Sequence, residues 1–324
     1  MNKTENIGAL VYLPEKNKIE RYDAENLESF SDIDDYWMKQ EGLVYFPFDR
    51  TKQAYFYNKT KGDNSAKQFE FSPNIPMTKE EYETSVFLAQ QGMANEEFSK
   101  VVLARNEILN GTYDALKTFQ NAVKKHPESY GYYINLGGQE WVGASPELLM
   151  HYEHGMVYST ALAGTRTLDQ EFTAKEGEEQ QMVEEFIEEK LIKVGLSNFV
   201  KAEKQEAIYS NIKHLKTAYT ATSTEGQALE LLKHLQPTSA VCGLPRDASF
   251  GFINEFETLN RSFYSGITGV LGKNSATFFV NLRCMRFYEN QVELFAGAGI
   301  TAESDAANEW EETEKKINTI KELL

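Results

Sequence analysis

The chain has 324 residues, enough for one large domain or two, and 41% of them are hydrophobic, enough for a sizeable core. A formal charge of −16 argues against nucleic acid as a partner, because any phosphate-binding surface would oppose the overall field. By the same argument, an anionic small substrate needs a local cationic or metal-based site. No run of about 18 apolar residues is present to span a membrane, and the first residues lack a signal-peptide core. Cys242 and Cys284 are too few for a disulfide framework and lack metal-ligand spacing, so the expectation is a cytoplasmic protein with buried free thiols.

Residues 1–75 read as short strands and loops, with strands near 7–12 and 43–48. The aromatic run Tyr45, Phe46, Phe48, Tyr55, Phe56 and Tyr57 reads as core and sheet surface, and Asp63 to Ser65 as an exposed turn. Thr78-x-x-Glu81 is a capping box that opens a helix to about Gly92. The stretch 98–108 is a strand rich in β-branched residues. Its alternation puts Lys100 on one face with Val102, Ala104 and Ile108, and Arg105 on the other. A lysine pointing with apolar side chains is either an edge residue that snorkels or a desolvated amine of lowered pKa, usable as a base.

A helix follows near 113–125, then a meander over 130–136 and 140–143 with a turn at Gly137-Gly138. It runs on into Gly143-Ala-Ser-Pro-Glu147, where Glu147 precedes an apolar strand. Such a carboxylate is a turn residue or a general acid of raised pKa. A hairpin over 151–161 ends in Ala161-Leu-Ala-Gly164-Thr165-Arg166. The long helix expected over 174–195 carries Val183, Ile187 and Leu191 on its apolar stripe, with Glu179 one turn upstream on the same stripe. Glu178, Glu184, Glu185, Glu188 and Glu189 read as a solvated face, leaving Glu179 as the inward acid. His214 lies among strand-like pieces at 208–215 and 217–222, where a histidine is usually a satisfied core residue. Helices over 224–235 and 246–257 flank a proline-bounded loop of small residues at 236–245. Three antiparallel strands are expected over 264–271, 276–287 and 291–296. Arg283 falls inside the middle one, a costly place for a cation unless a carboxylate meets it.

At the C-terminus, Val292, Leu294 and Ala296 lie on a strand expected to run into a turn at Gly297 and Gly299, whose backbone can come close to an anionic ligand. A helix starts from Ser304 as N-cap. Ala306, Trp310, Thr313, Ile317, Ile320 and Leu324 form its core stripe; Glu309, Glu312 and Lys316 share an arc beside it, while Glu311, Glu314 and Lys315 point to solvent. Two carboxylates one turn apart at a core boundary could hold a hard divalent cation, with Glu179 as a third. The same residues also read as an ordinary acidic helix with i,i+4 lysine pairs.

Six segments in order resemble the chorismate-utilising enzymes, a family that includes isochorismate, salicylate, anthranilate and aminodeoxychorismate synthases. They are Phe98-x-Lys-Val-Val-Leu-Ala-Arg105, Gly143-Ala-Ser-Pro-Glu-Leu-Leu149, Ala161-Leu-Ala-Gly-Thr-Arg166, Pro237-Thr-x-Ala-Val-Cys-Gly-x-Pro245, Tyr264-x-Gly-x-x-Gly269, and Ala296-Gly-Ala-Gly-Ile300 with Glu309-Trp-x-Glu-Thr313. The resemblance spans about residues 95–320. It implies a single α+β domain over 1–324, with a divergent part at 1–75: two stacked, mostly antiparallel β-sheets flanked by helices, with the site in a cleft between. It further implies that Glu179, Glu309 and Glu312 surround one Mg²⁺ that holds the ring carboxylate of chorismate. Tyr264 and Arg283 then match the pair that binds the enolpyruvyl carboxylate. Gly164, Thr165, His214, Gly297, Gly299 and Lys316 match other contacts to substrate or metal-bound groups.

Two positions bear on which member this is. Lys100 matches the lysine that activates water in isochorismate and salicylate synthases, and Ala240 stands where other members usually carry threonine. Both favour an isochorismate synthase with Lys100 as base and Glu147 as acid. A salicylate synthase and a non-catalytic chorismate-binding protein are the alternatives, and a monomer is the default assembly. Departures from the family pattern are Asn260-Arg261-Ser262 in place of Asp-Arg-Gly, and Glu178-Glu179-Gln180 in place of a histidine-flanked glutamate.

Overall fold

The computed structural model describes residues 7–60, 72–209 and 212–324. In chain order the elements begin with β1 (Ile7–Leu13), β2 (Lys18–Asp23), β3 (Leu27–Phe30), β4 (Gly42–Phe46), β5 (Ala54–Asn58), α1 (Lys79–Ala94) and β6 (Lys100–Asn110). There follow α2 (Ala115–Lys125), β7 (Tyr130–Asn135), β8 (Glu140–Ser145), β9 (Leu148–Glu153), β10 (Met156–Thr167) and α3 (Ala174–Lys193). Next come β11 (Val200–Lys201), β12 (Gln205–Tyr209), β13 (Ile212–Thr222), α4 (Glu225–Leu235), β14 (Gly243–Leu244) and α5 (Arg246–Phe256). The last elements are β15 (Ile267–Leu271), β16 (Ser275–Val280), β17 (Cys284–Tyr288), β18 (Gln291–Ile300) and α6 (Ala306–Lys321). The expected turn at 63–65 lies outside the described residues.

The strands build two antiparallel sheets. One runs β14-β6-β18-β17-β8-β7-β1-β2; the other runs β11-β13-β10-β9-β16-β15-β4-β5-β3, with β12 also paired to β13. The sheets stack face to face through aromatic side chains from both, as when the Tyr130 ring of β7 lies 4.4 Å from Phe279 of β16. Alternation along each strand supplies that inner face, and the outer faces take the helices. Helices α2 and α6 cover the eight-stranded sheet, α3 and α4 cover the ten-stranded one, and α1 packs beside α6. This is the α+β arrangement expected. The aromatics of β4 and β5 are buried in it, and both cysteines are buried and unpaired.

Helix starts follow local chemistry. Thr78 and Glu81 form the capping box of α1, and Thr224 with Gln227 forms that of α4. Three expectations are corrected. The strand expected over 276–287 is two strands, because at Asn281-Leu282-Arg283 the chain leaves the ten-stranded sheet and enters the other; Arg283 sits there at φ 48°, outside any strand. No turn interrupts β18 at its glycines: Gly297 pairs with Ala104 and Gly299 with Val102. The N-cap of α6 is Asp305, not Ser304, whose hydroxyl donates instead to Glu309 Oε1 at 2.8 Å.

Candidate active site

Two crossings between the sheets frame the site. Strand β8 hands over to β9 through Pro146 and Glu147, and β16 hands over to β17 through residues 281–283. The crossings are stitched together: Ser145 Oγ donates to Val280 O at 2.6 Å, Val280 N to Glu147 O at 3.0 Å, and Ala144 N to Arg283 O at 3.2 Å. Beside them is a cavity of about 140 Å³, counted as space open to the centre of a water molecule. One water needs only about 10–15 Å³ on that measure, so the space suits a small organic molecule. Lys100, Glu147, Gly164, Thr165, Glu179 and His214 line it from one side of the sequence, and Tyr264, Arg283, Gly297, Gly299, Glu312 and Lys316 from the other. Ala240 is also on the wall. Of the candidate site residues named from the sequence, only Glu309 is not.

Lys100 is 4% exposed and its ammonium has no hydrogen-bond partner among the described residues. Burial lowers its pKa, while Glu179, Glu147 and Glu312 act the other way. Backbone contacts fix its start: Ser249 Oγ donates to its carbonyl at 2.8 Å, and Gly243, at φ 139°, lies so close that a Cβ there would come within 2.2 Å of the same oxygen. Its stem passes over Gly299, where a Cβ would lie 3.1 Å from Lys100 Cε. Glu147 is buried and its carboxyl also lacks a partner. Burial pushes its pKa up to about 7, against the pull of Lys100 and Lys316. A buried amine of lowered pKa and a buried acid of raised pKa therefore face one cavity.

The cationic side is Arg283 and Lys316. Arg283 has no hydrogen-bond or ion-pair partner among the described residues; burial brings its pKa down to about 10, so it stays charged at neutral pH. Among the described residues no carboxylate pairs with it, although the field of Glu128 reaches it, which leaves its fork open to a ligand carboxylate. Lys316 Nζ donates to Gly297 O at 2.8 Å and to Glu312 Oε1 at 2.7 Å. His214 Nδ1 lies 3.2 Å from Thr165 Oγ1, and its buried Nε2 has no partner. Burial, with Arg283 and Lys316 nearby, pushes its pKa down to about 3, so the ring is neutral. The reading of His214 as a satisfied core residue is thereby replaced by a cavity position. Tyr264 stacks on Phe295 at 5.4 Å, and its hydroxyl would lie 3.1 Å from a Cβ at Gly297. The glycine of β18 is needed for close approach, not for a turn.

The acids divide. Burial raises the pKa of Glu179, and Glu312 adds to that. Burial works on Glu312 in the same sense, but Lys316, Lys175 and Lys315 together outweigh it and the carboxyl lies below its ordinary range. Glu309 is 2% exposed and turned away, with Oε1 3.0 Å from Lys175 Nζ. Among the described residues no three His, Cys, Asp or Glu side chains are gathered tightly enough to ligate a metal as they stand. Glu179 and Glu312 offer a hard cation the oxygen donors it prefers; Glu309 can join them only by leaving Lys175.

Some residues were misread or missed. Glu184, assigned to a solvated face, is 5% exposed and accepts from Thr217 Oγ1 at 2.7 Å and Gln180 Nε2 at 3.2 Å, with Lys201 Nζ 2.8 Å away. Glu176 is likewise buried, accepting from Arg166 Nη2 at 2.9 Å. Glu179 is therefore not the only inward acid of α3. Glu314, expected in solvent, meets the buried Arg105 guanidinium. Arg261 was noted only as part of a departure from the family pattern. It pairs with Glu257 and donates to Val241 O and Val102 O, tying together two cavity-lining residues.

Comparison with known proteins agrees with this geometry. The pattern of the family described as chorismate binding enzyme matches residues 43–324. Isochorismate synthase EntC of Escherichia coli strain K12 is 28% identical over 306 residues, covering 87% of this chain and 77% of its own. The vibriobactin-specific isochorismate synthase of Vibrio cholerae is 32% identical over 247 residues, 68% of this chain and 61% of its own. The solved structure of MenF, the menaquinone-specific isochorismate synthase of E. coli, superposes with a TM-score of 0.82 at 22% identity, over 98% of this chain and 88% of that one. The chain belongs to the chorismate-binding enzyme family.

Proposed function

We propose that this enzyme is an isochorismate synthase, replacing the C4 hydroxyl of the chorismate ring by a new hydroxyl at C2. The observation that carries the reading is the pairing of Lys100 with Glu147, each buried, partnerless and facing the same cavity. A protein that only binds chorismate needs neither. Lys100, neutral, takes a proton from a water that attacks C2. Glu147, protonated, gives a proton to the C4 hydroxyl, which leaves as water while the double bonds shift. One water enters and one departs, so the reaction is an isomerisation and needs no covalent intermediate. Arg283 and Tyr264, which line the same cavity, receive the enolpyruvyl carboxylate, and neutral His214 offers Nε2 as a hydrogen-bonding group. Glu179 and Glu312 would hold Mg²⁺, which when bound neutralises the ring carboxylate.

Ala240 at the cavity wall, where other members usually carry the larger threonine, supports this member of the family. The test is incubation of purified protein with chorismate, first with Mg²⁺ and then with EDTA, with products resolved by chromatography. Metal-dependent isochorismate, lost in Lys100→Ala while chorismate still binds, is the expected result. Salicylate with pyruvate would move the assignment to a salicylate synthase. Bound chorismate with no turnover would leave a binding protein.

A further inference from the structure

Lys175 stands at the second position of α3, in the turn just after the N-cap Thr173. The helix macrodipole disfavours a cation there, so helix stability does not account for it. Its ammonium lies 3.0 Å from Glu309 Oε1, a carboxylate whose side chain is 3% exposed, and Glu179 and Glu312 are the other carboxylates whose fields reach it. One ammonium thus sits among the three acids that bear on the metal reading. Half of the lysine side chain is exposed, toward a cleft of about 590 Å³ that adjoins the cavity and shares Glu312 and Lys316 with it.

The residues on either side of Lys175 are fixed. Glu176 accepts from Thr173 N, Thr173 Oγ1 and Arg166 Nη2, and its backbone packs on Gly164, where a Cβ would lie 3.0 Å from Glu176 O. The backbone is held from both sides while the Lys175 side chain opens on the cleft. The ammonium can therefore leave Glu309 by side-chain rotation alone. A buried carboxylate released in this way must find another cation.

We propose that Lys175 is the resident counter-ion of Glu309 and that a divalent cation takes its place, the lysine swinging into the adjoining cleft as Glu309 turns to join Glu179 and Glu312. This rests on the metal reading above and adds to it a residue that sets metal affinity by competition. It also assigns Glu309 two states, lysine-paired without metal and metal-directed with it.

The test uses the full chain and titrates Mg²⁺ alone by calorimetry, with Mn²⁺ as a spectroscopic probe. Lys175→Gln is expected to tighten divalent-cation binding about tenfold, a usual size for one competing interaction, and Lys175→Arg to leave it within about twofold. A second readout is thermal. In EDTA, Lys175→Gln melts below the parent because buried Glu309 loses its cation and keeps the Ser304 hydroxyl as its remaining described partner, and Mg²⁺ closes the gap; a merely structural lysine would leave the gap open. Unchanged or weaker binding in Lys175→Gln, with the parent still binding Mg²⁺, overturns the proposal and leaves the proposed reaction standing. No divalent binding to either protein overturns it together with the metal reading, and the chorismate product assay then judges the reaction separately.

Discussion

Replacing Glu147 by glutamine should stabilise the protein, by an amount that grows with pH. The carboxyl is buried beside Lys100 and Lys316 and its pKa is pushed from the ordinary 4.5 to about 7. In the unfolded chain it ionises near 4.5, so between the two values the folded form holds a proton that the unfolded form has lost. Stability then falls as pH rises through that window and levels off above it. At about 1.4 kcal/mol per pH unit, this raised pKa costs the fold roughly 3 kcal/mol at pH 8, about 2 at pH 6 and about 1 at pH 5. Glutamine keeps the shape and never ionises. Urea unfolding of parent and Glu147→Gln at pH 5, 6 and 8 should therefore give a stability gap that widens by about 2–3 kcal/mol across the series. Any constant offset from the amide's own contacts cancels in that comparison. A gap that stays flat, or narrows with pH, would refute the claim that desolvation governs this carboxyl.

Other perturbations probe the same site. The profile of kcat/KM against pH should fall above about pH 7 as Glu147 loses its proton; a profile flat to pH 9 would exclude Glu147 as the acid. Arg283→Gln removes the cation that awaits a ligand carboxylate and should lower kcat/KM about 100-fold, mostly through KM, read from initial rates of isochorismate formation. Gly299→Ala places a methyl 3.1 Å from Lys100 Cε, so kcat should drop about tenfold while urea stability moves by less than about 1 kcal/mol. Equal losses in both would mean that the sheet, not the lysine, had been disturbed.

Much of the fold was legible because its signals are local. A capping box named the start of α1, and alternation along β6 separated Lys100 from Arg105 correctly: the first faces the cavity, the second meets Thr313 and Glu314 on α6. Alternation does not record which sheet a strand joins, so residues 276–287 read as one strand although they cross between two. The charge pattern of α3 was equally silent about partners. Gln180 and Glu184 are buried because Thr217 on β13 supplies a hydroxyl and Lys201 a charge, and no helical spacing carries that information. Residue identity also understated backbone geometry. Ser262, a departure from the family's glycine, still adopts the left-handed conformation at φ 50°, with its carbonyl accepting from Phe48 N. The local conformation persists where the residue that suits it best does not.

The site is best recognised by what it costs the fold. A partnerless buried lysine, a carboxyl held protonated up to about pH 7, an arginine at positive φ without a counter-ion and a histidine with an orphaned Nε2 all line one cavity. Each would be more stable paired or in water. Elsewhere the chain does pair its buried charges: Arg261 with Glu257, Arg286 with Glu293 and Arg105 with Glu314. The contrast shows that this fold can neutralise a buried arginine when stability is the only demand. Among the described residues Arg283 and Lys100 remain unpaired, in a chain with 49 acidic residues against 33 basic ones. The missing counter-charge of Arg283 is best supplied by a ligand carboxylate, and chorismate brings one together with a hydroxyl to be exchanged between Lys100 and Glu147.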